Sequence, residues 1–194
     1  MVIRDREYLK KEIIGQSRHQ FIYGYNDENR RSLIKELEIE YPIIKDETSP
    51  IAINPKNIFL PNIETEVFDE YKLYMIATEY LRFNIALELL LRTQSQFPDI
   101  NMSNLTTYFG ENITKIEELI KHFKESIDFY KFYYEEYLKK EDIKISIDEI
   151  LISFLDIETF IRKYKKDINN QAYISILVDN VCDSSIYSIR AIND

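Results

Sequence analysis

The sequence contains few of the residues that cross-link a chain or break its regular structure. Its 194 residues include one cysteine, three glycines and five prolines. The single cysteine, Cys182, excludes an internal disulfide framework and fits a reducing compartment, so we expect a cytoplasmic protein. The scarcity of glycine and proline argues against a sandwich or barrel, because those folds need many turns. No apolar run approaches the roughly 20 residues of a membrane-spanning helix, so we expect no membrane contact.

The charge balance argues against one further class of function. The chain carries 25 basic and 34 acidic residues, which gives a net charge of −9. Such an excess of negative charge argues against broad, direct contact with a nucleic-acid backbone. Hydrophobic residues make up 45% of the chain and charged residues 30%, as in ordinary soluble domains. Because the apolar residues fall in long periodic blocks, the sequence predicts a mainly helical fold.

The apolar spacing also predicts the order of helices and strands. A spacing of three and four indicates a helix, whereas a short continuous apolar run indicates a buried strand. The predicted helices cover residues 3–14, 29–41, 63–97, 113–138, 147–166 and 186–192, with Ser146 and Glu149 as a capping box for the fifth. The predicted strands are 19–23, Ile51–Ile53 and 173–178, and the last has the composition of a fully buried strand. Residues 98–110 are predicted to form a loop.

These elements predict a helix-dominated α/β fold with a small, mainly parallel sheet. The strands lie towards the two ends of the sequence, and about a hundred mostly helical residues lie between them. Since no low-complexity linker separates that block from the rest, we interpret residues 1–194 as a single α/β domain in which residues 63–167 form a large helical insertion. A division into two domains, with the insertion as a subdomain, also fits the sequence.

The segment between the first predicted strand and the next helix has features of a phosphate-binding loop. Such a loop surrounds an anion with backbone N–H groups and a helix N-terminus. Gly24 occupies the position of the first glycine in that pattern. Asn29, Arg30 and Arg31 stand where the second glycine, the lysine and the hydroxyl-bearing magnesium ligand are usual. The pattern is therefore present in a degenerate form.

The late predicted strand supplies a second motif. Its apolar residues are followed by Asp179 and Asn180. In phosphate-loop nucleotidases an acid at the end of such a strand holds the metal, and a following glutamate activates water. Asp179 fits the metal role. Asn180 replaces the glutamate, and an amide cannot accept a proton from water.

Taken together, the two motifs resemble the N-terminal half of a bacterial AAA-type phosphate-loop ATPase of the origin-recognition-like or signal-transduction (STAND) kind. The resemblance covers about residues 1–60 and 170–194. It implies a phosphate-loop-like sheet, ATP or ADP with Mg²⁺ as ligand, weak or no hydrolysis by this chain alone, and a regulatory or assembly role. The implied phosphate cradle comprises Gly24, Asn26, Asn29, Arg30 and Arg31, and Asp179 is implied on the metal side.

The same residues also fit a protein without a nucleotide site. The first motif equally suits a strand-to-helix turn whose polar residues cap the helix, and Asp179 suits a strand-end acid that accepts backbone N–H bonds. In this alternative the chain is a non-enzymatic helical interaction module, and the α/β part is only a scaffold. The long apolar stripe from Val67 to Leu89 and the aromatic cluster at residues 129–137 then provide a surface for a protein partner or for self-association. Core packing is the simpler interpretation of the aromatic cluster.

No set of residues in the sequence indicates an autonomous hydrolase. His19 and His122 lie far apart and have no metal-ligand companions at regular spacing. Cys182 has no histidine–acid set that would make it a nucleophile. We therefore predict no catalytic residues.

Overall fold

The computed structural model describes residues 6–15, 27–56, 58–61, 70–110, 113, 115–139, 155–179 and 191. Within these residues the chain is dominated by helices and has a small two-stranded parallel sheet, so the coarse fold prediction is confirmed. The elements in chain order are α1 (Arg6–Gly15), α2 (Asp27–Glu40), β1 (Ile51–Ile53), α3 (Glu70–Gln96), α4 (Ser103–Phe109), α5 (Ile116–Lys139), α6 (Ile157–Ile168) and β2 (Ile174–Ile176).

The sheet joins two segments that lie far apart in the sequence. Strands β1 and β2 pair in parallel, with Ile51 opposite Ile174 and Ile53 opposite Ile176. The N–H of Leu177 donates to the carbonyl of Ile53 at 2.7 Å, which extends the ladder past β2. Because parallel strands end at the same edge, the residues that follow β1 and β2 lie together at the carboxyl edge of the sheet.

Helices cover both faces of β1, as a parallel sheet requires. Successive side chains of a strand point to opposite faces. Ile51 and Ile53 enter the larger core, which α3, α4, α5 and α6 form, whereas Ala52 enters a smaller core against α1 and α2. The buried residues of the smaller core are Ile14, Leu33, Ile34, Leu37, Ala52 and Leu177. The sheet is thus the middle of three layers.

The long helices α3 and α5 pack through aromatic rings. Phe83 of α3 meets Phe123 of α5 edge to face, with 5.3 Å between the ring centroids. Tyr130 and Tyr134 of the aromatic cluster are fully buried, whereas Phe132 is exposed. The cluster is therefore divided between core and surface, and core packing accounts for its two most buried tyrosines.

Helix α4 lies inside the segment predicted to be a loop, so that prediction is wrong. The residue before the helix, Met102, supplies no side-chain cap. Instead, the carboxylate of Asp167 on α6 accepts hydrogen bonds from the backbone N–H groups of Asn104 at 2.9 Å and Leu105 at 3.0 Å. The helix ends at Phe109 and is followed by Gly110, whose φ of 121° suits glycine. A distant residue provides the N-terminal cap that the local sequence lacks.

Two further expectations differ from the structure. The helix predicted over residues 147–166 does not include Leu155 and Asp156, which are not helical. Asp156 caps α6 by accepting the N–H of Thr159 at 3.0 Å, so α6 begins at Ile157. The late strand is not fully buried, since Tyr173 and Ile176 are exposed.

Several predictions lie outside the described residues. These are the strand at residues 19–23, the capping box of Ser146 and Glu149, the environment of Cys182 and most of the helix at residues 186–192. Among the residues that the structure describes, no helix is both long enough and apolar enough to span a membrane.

Candidate functional site

The two sequence motifs meet at the carboxyl edge of the sheet. Arg30, in the first turn of α2, forms an ion pair through its Nε with Oδ1 of Asp179, which follows β2. The two residues are separated by 149 positions in the sequence. Their contact brings the start of the first-motif helix against the acid of the second motif.

A second arginine approaches the same carboxylate. The Nε of Arg31 lies 3.6 Å from Oδ2 of Asp179, so both carboxylate oxygens face a guanidinium group. The Asp179 side chain is 14% exposed, against 25% for Arg30 and 63% for Arg31. The cluster carries one net positive charge and is partly open to water. We call these three residues the arginine–aspartate cluster.

The buried face of α2 explains why Arg30 points towards the sheet. Leu33, Ile34 and Leu37 are buried in the smaller core. Arg30 precedes Leu33 by three residues and Ile34 by four, so it lies on the same helix face. Arg31 is rotated about 100° from Arg30 around the helix, which accounts for its greater exposure.

The same packing positions Asp179. Leu177 lies in the smaller core with Leu33 and Ile34 of α2. Two residues further along an extended chain, the side chain points to the same side. Asp179 is therefore aligned with the face of the sheet that α2 covers, and it meets Arg30 at the first turn of that helix.

The structure brings together half of the predicted site. Arg30, Arg31 and Asp179 form one cluster, and Asn29 is exposed in the first turn of α2. Gly24 and Asn26 lie outside the described residues. The backbone N–H groups at the nearby N-terminus of α2 add a partial positive charge, which favours anions.

The surroundings of Asp179 do not suit the Mg²⁺ that the family resemblance implies. Magnesium prefers several oxygen ligands in octahedral geometry. Here the two oxygens of Asp179 face two guanidinium groups, and Arg31 stands in place of the hydroxyl ligand. A cation at this carboxylate would be repelled by both arginines. Across the described ranges, no group of three or more histidine, cysteine or acidic residues could hold a metal ion.

An ion-pair network between α1 and α2 was missed by the sequence analysis. The buried ammonium of Lys10 contacts Glu7 at 3.0 Å, Glu36 at 3.1 Å and Glu40. These hydrogen bonds, with Glu40 first, raise the pKa of Lys10, and Lys10 in turn lowers the pKa of Glu36. The available signal was the position of Lys10 four residues before buried Ile14, on one helix face. The network fixes α2 against α1.

A second network joins α2 to α3. Arg92 of α3 pairs with Glu38 of α2 and with Glu88 one turn earlier, at 2.5 Å. Glu38 also accepts the backbone N–H of Asn54 at 3.0 Å, next to the end of β1. Burial raises the pKa of Glu88 and lowers that of Arg92. These contacts hold α2 in place from the side opposite α1, and so they support the position of Arg30.

Comparison with protein-family models, curated proteins and solved structures found no match for the chain. The case for a function therefore rests on the geometry of the site.

Proposed function

We propose that the chain is a degenerate AAA-type nucleotide-binding module with a regulatory or assembly role. It binds the phosphates of ATP or ADP weakly through Arg30 and Arg31 and does not hydrolyse the nucleotide by itself. The observation that supports the proposal is the contact of Arg30 with Asp179. The two motifs belong to distant parts of the sequence, and a phosphate-loop fold requires them to be adjacent.

The location and the chemistry of the arginines support phosphate binding. Open α/β sheets bind ligands beside the carboxyl ends of their strands, and the arginine–aspartate cluster lies at that edge. Guanidinium groups bind phosphate oxygens through paired N–H donors. Arg30 thus replaces the lysine of the usual motif with a side chain of the same charge and greater donor capacity.

The absence of hydrolysis follows from the residues at the second motif. Asn180 cannot act as a general base. Asp179 contacts two arginines, and their positive charge disfavours a metal ion at this carboxylate. Nucleotide binding without turnover is the activity that such residues support.

A thermal-shift titration tests the proposal. A ligand that binds only the native state at ten times its Kd adds about 1.4 kcal/mol of stability, from RT ln(1 + [L]/Kd). For a chain of this length that is a rise of about 3–6 °C in Tm. We expect this shift with millimolar ATP or ADP at matched ionic strength, and its loss in Arg30→Gln.

The matched control is Arg162→Gln, which removes an exposed arginine from α6. This variant is expected to retain the shift. Absence of a shift with ATP, ADP and GTP would refute nucleotide binding, and a shift that persists in Arg30→Gln would assign binding to another part of the chain.

The exposed aromatic residues of the helical block support a second candidate, a non-enzymatic interaction module. Tyr71 of α3 and Phe132 of α5 are exposed, whereas Tyr130 and Tyr134, close to Phe132 on α5, are buried. Exposed apolar side chains favour association where they form one contiguous patch. If this function holds, light scattering will show a mass that rises with concentration and a smaller rise for Phe132→Ser. A strict monomer at all concentrations contradicts self-association.

A further inference from the structure

We infer that the arginine–aspartate cluster binds a phosphate group without a divalent cation, and that Asp179 acts as an internal anion which competes with that ligand. This inference rests on the proposed function, and it assigns Asp179 a role opposite to metal support.

The charges of the arginine–aspartate cluster are the first observation that supports phosphate binding without a metal ion. A polyphosphate needs positive charge beside it, which phosphate-loop proteins supply with a lysine and a metal ion. Here Arg30 and Arg31 supply two positive charges within one turn of helix. The second of them occupies the position where the metal ligand is usual. The arginines therefore take the place of the metal ion, and their repulsion disfavours a cation beside Asp179.

The atoms through which the arginines contact Asp179 are the observation that supports competition with a phosphate. Both arginines approach Asp179 through Nε, with Arg30 on Oδ1 and Arg31 on Oδ2. The edge of a guanidinium that includes Nε is one of those that bind a phosphate or carboxylate with two parallel N–H donors. A phosphate that uses this edge must displace the carboxylate. The apparent affinity is then reduced by the fraction of time that the arginines are paired with Asp179.

The two roles of Asp179 predict opposite effects of one substitution. If Asp179 supported a metal ion, Asp179→Asn would weaken nucleotide binding. If Asp179 competes with the ligand, the same substitution removes the competing negative charge from both arginines and tightens binding. The neutral amide is nearly the same size as the carboxylate, so the comparison isolates the charge.

The experiment measures pyrophosphate binding by calorimetry in EDTA, for the whole chain and three variants. We expect the unsubstituted protein to bind in EDTA and Asp179→Asn to bind about tenfold more tightly, which is about 1.4 kcal/mol. Arg30→Gln is expected to abolish binding. The matched control is Glu28→Gln, which removes one negative charge from the exposed start of the same helix and is expected to change the Kd by less than about twofold.

The outcomes separate this inference from the proposed function. Binding of ATP only in the presence of Mg²⁺ overturns metal-free binding. Unchanged or weaker pyrophosphate binding by Asp179→Asn overturns the internal-anion role. In both cases nucleotide binding stands. No binding of ATP or pyrophosphate by any of the proteins, in Mg²⁺ or in EDTA, refutes both. The EDTA measurement on the unsubstituted protein needs no variant, so it decides the metal requirement even if Asp179→Asn does not fold.

Discussion

Removal of the Asp167 side chain is expected to destabilise the protein through helix α4. The carboxylate of Asp167 accepts the backbone N–H of Asn104 at 2.9 Å, its side-chain Nδ2 at 2.7 Å and the N–H of Leu105 at 3.0 Å. Asp167→Ala therefore removes the acceptor of two backbone N–H groups in the first turn of α4. Water reaches this partly buried position, which limits the loss.

The expected magnitude follows from those contacts. Loss of a side-chain cap costs about 0.5–2 kcal/mol, and this cap holds two backbone donors with an ionised acceptor, which places it at the upper end of that range. We expect a loss of about 2 kcal/mol in the free energy of unfolding, or about 4–8 °C in Tm. Urea unfolding followed by circular dichroism measures the free energy, with an unchanged m-value if only stability changes.

The control for this prediction is Asp128→Ala on the exposed side of α5. Both substitutions replace aspartate by alanine within a helix, so the gain in helix propensity is similar in each. The difference between the two variants then reports the cap. A free energy for Asp167→Ala within about 0.5 kcal/mol of Asp128→Ala would refute the capping argument.

Two further predictions concern buried polar groups. The hydroxyl of Thr93 donates to the carbonyl of Leu89 at 2.7 Å, so the buried Tyr164 hydroxyl donates to Thr93 at 2.8 Å. The substitution Thr93→Val leaves the Tyr164 hydroxyl unpaired. It should cost about 1–3 kcal/mol in the free energy of unfolding, and more than Tyr164→Phe. Equal costs would contradict this donor assignment. Burial raises the pKa of Glu79, so its carboxyl group stays protonated to a higher pH in the native state than in the unfolded state. The contribution of Glu79 to stability therefore falls as the pH rises from its unfolded pKa of about 4.3 through its folded pKa. Unfolding measured from pH 4 to 7 should therefore show the stability of the unsubstituted protein falling relative to Glu79→Gln, and a constant or opposite difference would contradict the effect of burial.

The parts of the fold that sequence predicted well are those that neighbouring residues determine. Helix α2 follows from apolar residues three and four positions apart, with Pro42 soon after its end. Strand β1 follows from a short apolar run between breaks in the pattern. In both elements the residues that decide the conformation lie within the element or next to it, so periodicity is sufficient.

The parts that sequence did not predict depend on distant residues. Helix α4 receives its cap from Asp167, 63 positions after Asn104. The exposure of Ile176 depends on which helices cover β2, and the burial of Lys10 depends on Glu40 of the next helix. No local pattern carries this information, because it arises only when the elements pack.

The candidate site shows the same division. The order of the two motifs predicted that Arg30 and Asp179 belong to one site, and the structure places them in contact. The order of the motifs did not predict that the arginines pair directly with Asp179, because this pairing depends on the rotation of α2 over the sheet. Leu33 and Leu177 set this rotation by packing in the smaller core.

The ion pair between Arg30 and Asp179 can either attach α2 to the end of β2 or hold the arginines around an anion site. As a tie between α2 and the end of β2, a partly exposed ion pair contributes about 0–1 kcal/mol. The buried side chains of Leu33 and Leu37 each contribute about 1.5–3 kcal/mol by leaving water. The helix would therefore stay on the sheet without the ion pair, and its attachment does not account for two adjacent arginines that converge on one carboxylate. Guanidinium groups already held around one anion need little reorganisation to bind another. The effect of Asp179→Asn on anion affinity, rather than on stability, is therefore the quantity that separates a binding site from a structural contact.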